Sequence, residues 1–385
     1  MKHDFETSVD RRNTGSLKWN KYKGRDVLPM WVADMDFVSA PEIVQALQER
    51  AAHGVFGYTV PYEEVIAEVI AYVERRHGWK VDPSWLVWLP GLVQGLNLVC
   101  RAYGKPGDAV MVNTPVYPPF LSAPVFSDRR RVAVPLVKRG GTWRMDFEAM
   151  DRAVTPDTRV FILCNPHNPV GAVFSREDLA RLVAFCDHHN LVLCSDEIHC
   201  DLILDDVPHV CTATLGPVAA SRTVTFLSPS KTYNLPGLAC AYAIIPNPEL
   251  RASFQRAARG IITEVNTFGY TGCTAAYRHG EPWRQGLLNV LRANRDRLYA
   301  WLAKNAPEIP MTPMQATYLA WLDVRSLLLE HPQAHFEAHG LGLSPGGDFG
   351  DAAYLRLNFG CPPSVLEEGL VRLGRGIEAA RENKG

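Results

Sequence analysis

Ser228-Pro229-Ser230-Lys231 sets a lysine directly after an apolar, β-branched run and beside two hydroxyls. A lysine amine forms an imine with an aldehyde once desolvation and nearby positive charge lower its proton affinity. Taken alone, such a loop lysine reads as a solvated surface cation. Its companions change that reading. Asp196 closes the apolar run Leu191-Val192-Leu193-Cys194-Ser195, at a depth where a carboxylate would keep a pyridine nitrogen protonated and make the ring an electron sink. A helix cap or a metal ligand is the other reading of Asp196, since Glu197 and His199 stand close by. Successive residues of a strand-end loop point in different directions, however, and no second His/Cys cluster is visible, so no metal is expected.

Four further segments extend the pattern. Gly91-Leu92-Val93 follows the apolar run Trp85–Leu89 and opens the helical stretch Gln94–Tyr103. A glycine turn into a helix start offers the free N–H groups of Leu92 and Val93, and the positive dipole end, to a phosphate. Asn168, in Asn165-Pro166-His167-Asn168-Pro169-Val170-Gly171, is a donor whose backbone the prolines restrain, although a plain turn uses the same residues. Tyr117, in Pro115-Val116-Tyr117-Pro118-Pro119, could stack on a flat ring or pack in the core. Arg356 lies in the strand-like run Tyr354–Phe359, where a buried guanidinium needs an anion; a substrate carboxylate would be a bidentate one. Each residue type suits one part of a pyridine aldehyde phosphate or of an amino acid joined to it.

The elements that must position these groups are legible as alternating runs. Ala109–Val112, Val132–Val137, Val160–Cys164, Leu191–Cys194, Val224–Leu227 and Cys240–Ile245 read as buried strands. Between them Arg176–His189 has helical spacing, with Ser175 and Asp178 placed as a capping box. Strands alternating with helices predict an α/β fold with a mostly parallel sheet covered on both faces, and ligands beyond the carboxyl ends of its strands. After about residue 285 the pattern changes to a long helix (Pro282–Lys304), short strands (Tyr318–Leu322, Tyr354–Asn358) and a last helix (Val365–Ala380). The expected division is a large domain over residues 46–284 and a smaller α+β domain made of 1–45 with 285–385.

Bulk properties narrow the function classes. The 385 residues are 47% hydrophobic and 21% charged, with a formal net charge of −1, which points to no polyanion partner. The Arg129-Arg130-Arg131 cluster reads as a solvated turn before a strand, and no nucleic-acid partner is expected. The opening residues Met1–Glu6 lack an apolar leader, and no stretch has the length of a membrane span. Nine cysteines without a C-x-x-C framework fit reduced thiols in a cytoplasm.

Taken together, the chain resembles fold-type I pyridoxal 5′-phosphate (PLP) enzymes of the class I/II aminotransferase superfamily, from Gly91-Leu92-Val93 through Tyr117, Asn168, Asp196 and Ser-x-Ser-Lys to Arg356. Within it, the chain is most similar to the MalY/PatB group of cystathionine β-lyases. The shared marks are Asp10-Arg11-Arg12, Gly15-Ser16-Leu17-Lys18-Trp19, Met30–Phe37, His53–Tyr58, Ser195–His199 and Leu355–Gly360. Two departures from the aminotransferase pattern favour that group: Ala239 stands where many aminotransferases carry a phosphate-contacting arginine, and His199 where they carry a tyrosine facing the cofactor's phenolic oxygen. Gln94 stands where the β-lyases more often have proline.

The resemblance implies PLP bound as a Schiff base to Lys231 and a ring partner in Asp196. It implies phosphate contacts from Leu92, Val93, Ser228 and Ser230, with Tyr58 reaching in from the second subunit of a homodimer. Tyr117 and His199 would line the cofactor. Asn168, Arg356 and Ala33 would meet the substrate, a small amino acid of the cysteine S-conjugate type. The implied reaction is α,β-elimination to a thiol, pyruvate and ammonia. An aminotransferase, or a regulatory protein that keeps the fold, are the alternatives.

Overall fold

The apolar runs pair into one seven-stranded sheet in the computed structural model, which describes residues 3–382. Met1 and Lys2, part of the opening segment read above, lie outside the described residues. The strands are β1 (Leu86–Leu89), β2 (Ala109–Thr114), β3 (Arg130–Pro135), β4 (Thr158–Cys164), β5 (Val192–Asp196), β6 (Thr223–Leu227) and β7 (Ala241–Ile244), in the order β1-β7-β6-β5-β4-β2-β3. From β3 to β6 all neighbours are parallel, and β7 runs antiparallel to both β6 and β1.

Period-two geometry sends successive side chains to opposite faces. Val160 and Ile162 of β4 join Val110, Val112, Leu96 and Phe120 on one face. Phe161 and Leu163 join Met111, Leu193, Leu179 and Leu182 on the other. Because both faces are covered, β6 is buried along its whole length, which is why these strands read as continuous apolar runs rather than alternating ones. The helix α1 (Leu92–Ala102) packs on the first face and α2 (Arg176–His188) on the second. The expected capping box holds: Ser175 accepts from the Asp178 N–H, and the Asp178 side chain accepts from the Ser175 N–H.

One expectation fails at the sheet's edge. β3 begins at Arg130, so Arg130 and Arg131 are strand residues and not a solvated turn. An edge strand pairs on one side only, so both side chains reach solvent while their backbone joins the ladder to β2. Arg129 is buried, and its guanidinium donates to the carbonyls of Ser127 (2.9 Å) and Gly104 (3.2 Å). Val137 belongs to a separate hairpin, Val137–Arg139 with Thr142–Arg144.

The later part of the chain forms a three-stranded antiparallel sheet of β8 (Leu319–Asp323), β9 (Ser344–Pro345) and β10 (Tyr354–Asn358), in the order β8-β10-β9. The helices α3 (Glu281–Asn305) and α4 (Pro363–Glu382) share one apolar cluster with it, through Leu287, Leu291 and Leu298 on α3 and Leu366, Leu370 and Leu373 on α4. Leu28–Pro29 pairs in parallel with Leu341–Gly342, which ties the N-terminal segment to this region. No helix among the described residues is long and apolar enough to cross a membrane. All nine cysteines are buried and unbonded to one another.

Gly171 closes the turn that presents Asn168. Its φ is +67°, and a Cβ there would lie 2.5 Å from Met314 Cβ and 3.0 Å from the Ala316 carbonyl oxygen. Left-handed backbone alone costs a residue with a side chain on the order of 1–3 kcal/mol, and the close approach adds to it. Gly171→Ala is therefore expected to lower the thermal midpoint by several degrees. An unchanged melting curve would show that the turn relaxes freely.

Candidate active site

Three adjacent parallel strands end at one level. Cys164 of β4 sits opposite Asp196 of β5, and Asp196 sits opposite Phe226 of β6. These ends and the residues just beyond them supply Asp196, Asn168 and the Ser228–Lys231 turn, at the carboxyl edge where such sheets bind ligands. Asn168 is fixed by its own turn: its N–H donates to Cys164 Sγ (3.4 Å), and its carbonyl accepts from Tyr117 N–H (3.1 Å). His167, which sequence reasoning passed over, anchors that turn, with Nε2 2.7 Å from the Pro115 carbonyl oxygen.

Asp196 is buried and forms no ion pair among the described residues; Oδ1 accepts from Ile198 N–H at 3.2 Å. Burial pushes its carboxyl up to about 7, an effect that the Ile198 hydrogen bond and Lys231 oppose and Glu197 reinforces. Lys231 stands on the single turn Pro229–Thr232 and donates from Nζ to the Ala33 carbonyl at 2.6 Å. Burial pushes its amine down to about 8, with Arg356 adding to the effect and Asp34 and Asp196 opposing it.

Arg356 of β10 is buried and pairs with no carboxylate among the described residues. One nitrogen donates to Asn168 Oδ1 (3.0 Å), another to the Trp31 carbonyl (3.0 Å), and Nε has no partner. The guanidinium also stacks over Phe349, 4.6 Å from the ring centroid. Burial pulls its affinity for the proton down to about 10, which leaves it charged at neutral pH. A buried cation without an anion is costly, and this guanidinium keeps an unused donor at Nε.

The segment Trp31–Phe37 connects these groups. Arg356 takes the carbonyl of Trp31, and Lys231 takes that of Ala33. Asn358 Nδ2 bridges the carbonyls of Val32 (2.6 Å) and Asp34 (2.7 Å), and Asn234 binds Met35 and Phe37. Arg11 pairs with Asp34 (2.5 Å) and Asp36 (2.7 Å), and Lys18 with Asp36 (2.5 Å). The N-terminal motif residues are thus the fasteners of this segment. Asn234, Tyr318 and Asn358 were missed in the sequence. Their signal was faint: Asn234 lies three residues after Lys231, and Asn358 two after Arg356 on the same strand face.

The α1 start is built as expected. Gly91 precedes the free N–H groups of Leu92 and Val93, and Gln94 folds back so that its Oε1 would lie 2.7 Å from a Cβ at Gly91. Ser228 Oγ donates to the Cys240 carbonyl (2.7 Å) and lies 2.8 Å from Ser230 Oγ. Tyr117 is partly buried at the start of the helix Pro118–Phe126. His199 is buried, its Nδ1 has no partner, and burial with Lys231 and Arg356 nearby holds its proton affinity down to about 3, so the ring is neutral. Tyr58 is fully exposed and lies outside this set within the chain. Glu197 turns away from Asp196, accepting from Ser195, Thr212 N–H and His209. Folding also gathers two buried triads invisible in the sequence, His77-Cys200-Asp201 and Glu197-His209-Cys211; their carboxylates already accept from protein donors such as Tyr72 and His209.

These features fit pyridoxal 5′-phosphate. Asp196 lacks a cation, His199 Nδ1 and Arg356 Nε lack partners, and a glycine-opened helix start stands ready for an anion. The α/β sheet, with lysine, aspartate and arginine gathered at its carboxyl edge, is that of a fold-type I PLP-dependent enzyme. The chain belongs to the aminotransferase class I and II family, whose sequence model matches residues 25–373. It is 38% identical to cystathionine beta-lyase PatB of Bacillus subtilis (strain 168), over 96% of this chain and 98% of that protein. The crystal structure of OvoB superposes with a TM-score of 0.95 at 43% identity, covering 97% of this chain and 99% of that one. Cystalysin from Treponema denticola, which contains a pyridoxal 5′-phosphate cofactor, superposes with a TM-score of 0.94 at 32% identity, covering 98% of this chain and 100% of that one.

The raised Asp196 carboxyl has a thermodynamic consequence for cofactor-free protein. A carboxyl lifted above its unfolded value contributes stability at low pH that is lost as pH rises through the folded value. The window here runs from about 4 to about 7. Cofactor-free Asp196→Asn should match wild type near pH 4 and exceed it above pH 7, by as much as roughly 4 kcal/mol. Denaturant melts across that range test this, and parallel pH profiles would contradict it.

Proposed function

We propose that this protein is a PLP-dependent carbon–sulfur β-lyase that cleaves cystathionine or related cysteine S-conjugates to a thiol, pyruvate and ammonia. The observation that carries the reading is the spacing of its two working cations. Lys231 and Arg356 are held on the carbonyls of Ala33 and Trp31, two residues apart on one segment. An amine that attacks Cα–H and a guanidinium that binds the α-carboxylate then lie within the span of one amino acid. His199 and Ala239, in place of the tyrosine and arginine of many aminotransferases, and the likeness to cystathionine beta-lyase PatB support elimination over amino transfer.

Bound PLP supplies an electron sink that lets Cα–H and then Cβ–S break. Arg356 grips the substrate carboxylate through its planar fork, with Asn168 beside it, and so fixes the direction of the Cα–H bond. Lys231, whose amine is partly unprotonated near neutral pH, takes the Cα proton as general base. Asp196 would set its negative charge against the ring nitrogen. The N–H groups of Leu92 and Val93, with Ser230 and Ser228, would hold the phosphate. Tyr117 would line the ring, His199 would serve its phenolic-oxygen side, and Ala33 would border the substrate.

Tyr58 joins the site only from a second copy. Val55, Phe56, Tyr58 and Val60 are all exposed on one short stretch, an apolar surface that supports a homodimer with Tyr58 reaching the partner's phosphate site. The working division of the chain is a large domain over 46–284 and a small one made of 1–45 and 285–385. Nine buried free thiols support a reducing, cytoplasmic setting.

With cystathionine as substrate, wild-type holoenzyme is expected to release pyruvate and thiol in equal amounts. Lys231→Ala should lose both the visible cofactor absorbance of wild type and the cleavage. Amino transfer to a keto acid faster than pyruvate release would replace the lyase reading with an aminotransferase. Arg356→Lys keeps the charge and loses the fork, so kcat/KM should fall about tenfold or more with cofactor content unchanged. Mixing Lys231→Ala with Tyr58→Phe subunits, each crippled alone, should restore one working site per hybrid dimer. Proven subunit exchange without recovered activity would place Tyr58 outside the partner's site.

A further inference from the structure

We propose that the Ala33 carbonyl and the Tyr318 hydroxyl form the seat of the Lys231 side chain whenever its amine is not covalently engaged. Tyr318 is then a positioning residue for proton transfer at the substrate, an inference that rests on the role given to Lys231 above. Lys231 Nζ and Tyr318 Oη donate to the same oxygen, at 2.6 Å and 3.0 Å. That oxygen is itself held. Asn358 Nδ2 binds the carbonyls on either side of it, and Asn358 Oδ1 accepts from Gly360 N–H (2.8 Å). Tyr318 is buried, and its ring packs edge-on against His199, at a centroid distance of 6.3 Å.

This arrangement suits the base in both of its states. As a free amine, Lys231 donates one N–H to Ala33 and keeps its lone pair for the Cα proton. The pair takes that proton, the C–H electrons stay with the substrate carbon, and the resulting ammonium keeps the carbonyl as a short, charge-assisted acceptor. Tyr318 shares the carbonyl's lone pairs, which weakens its hold on the ammonium and lets the amine lose its proton again. The charged and titratable groups facing Lys231 are Arg356, Asp34, Asp196 and His199, with Tyr318 itself. Removing only the tyrosine hydroxyl leaves their charges in place.

The test uses Tyr318→Phe in the full-length chain. In cofactor-stripped protein, competitive acetylation of Lys231 by acetic anhydride, read by peptide mass spectrometry across pH, should inflect near 8 in wild type and about half a unit higher in the variant. In holoenzyme, kcat for pyruvate release should fall about tenfold while KM moves less than twofold. An unmoved inflection overturns the proposal, even if kcat falls, because Tyr318 would then be structural. An unchanged kcat overturns the positioning role. If wild type cleaves neither cystathionine nor other cysteine S-conjugates, the lyase reading fails while the labelling shift still decides the seat. Should Tyr318→Phe fail to fold, Tyr318→Met, which likewise lacks the hydroxyl, takes its place in the same labelling, and an unmoved inflection there overturns the proposal.

Discussion

A backbone segment without a strand partner governs this active site. Trp31–Phe37 crosses the site outside any sheet, and buried carbonyls must find donors somewhere. They find them in side chains gathered at the site: Arg356, Asn358, Lys231, Tyr318 and Asn234. Satisfying one stretch of main chain therefore sets the spacing of Lys231 and Arg356, the proposed general base and carboxylate clamp. The Arg11–Asp34–Asp36–Lys18 pairs hold the far side of the segment, and all four residues are at least largely buried. Pairs of that kind contribute more through specificity of geometry than through net stability.

The second organising feature is charge left without a partner. Asp196, Arg356 and Lys231 are all shifted towards their neutral forms, in each case chiefly by burial. Such shifts store unfavourable free energy that, under the proposed function, a pyridine cation and an amino-acid carboxylate would relieve on binding. The fold tolerates this because the surrounding core is extensive, with apolar layers on both faces of the main sheet. Where charge has no such purpose it is neutralised at once, as in the contacts of Asp201 with Tyr72 and Arg76 or of Glu197 with His209.

Much of the architecture was legible because the main sheet is buried on both faces. Continuous apolar runs ended at the observed strands within a residue or two, except at the edge, where Arg130 and Arg131 are strand residues that one-sided pairing leaves wet. The capping box at Ser175 and the helix opening after Gly91 were local signals and came out as local structure. His167, Asn234, Tyr318 and Asn358 were not legible, since each acts through a main-chain carbonyl or amide far away in the chain, and side-chain-to-backbone bonds leave no spacing rule to read.

The sequence by itself determined which chemical groups stand at the strand ends: a lysine after one run, an aspartate closing another, a glycine opening a helix, an arginine within a late strand. Those assignments depend on residue type and on neighbours a few positions away, information carried by local order. Only the tertiary structure decided what these groups lack and what holds them. Whether Asp196 has a cation, whether Arg356 has an anion, and which oxygen receives Lys231 depend on contacts between residues such as 33 and 231, or 168 and 356. Desolvation and hydrogen-bond satisfaction are sums over everything packed around a group, so they exist only once the chain has closed on itself.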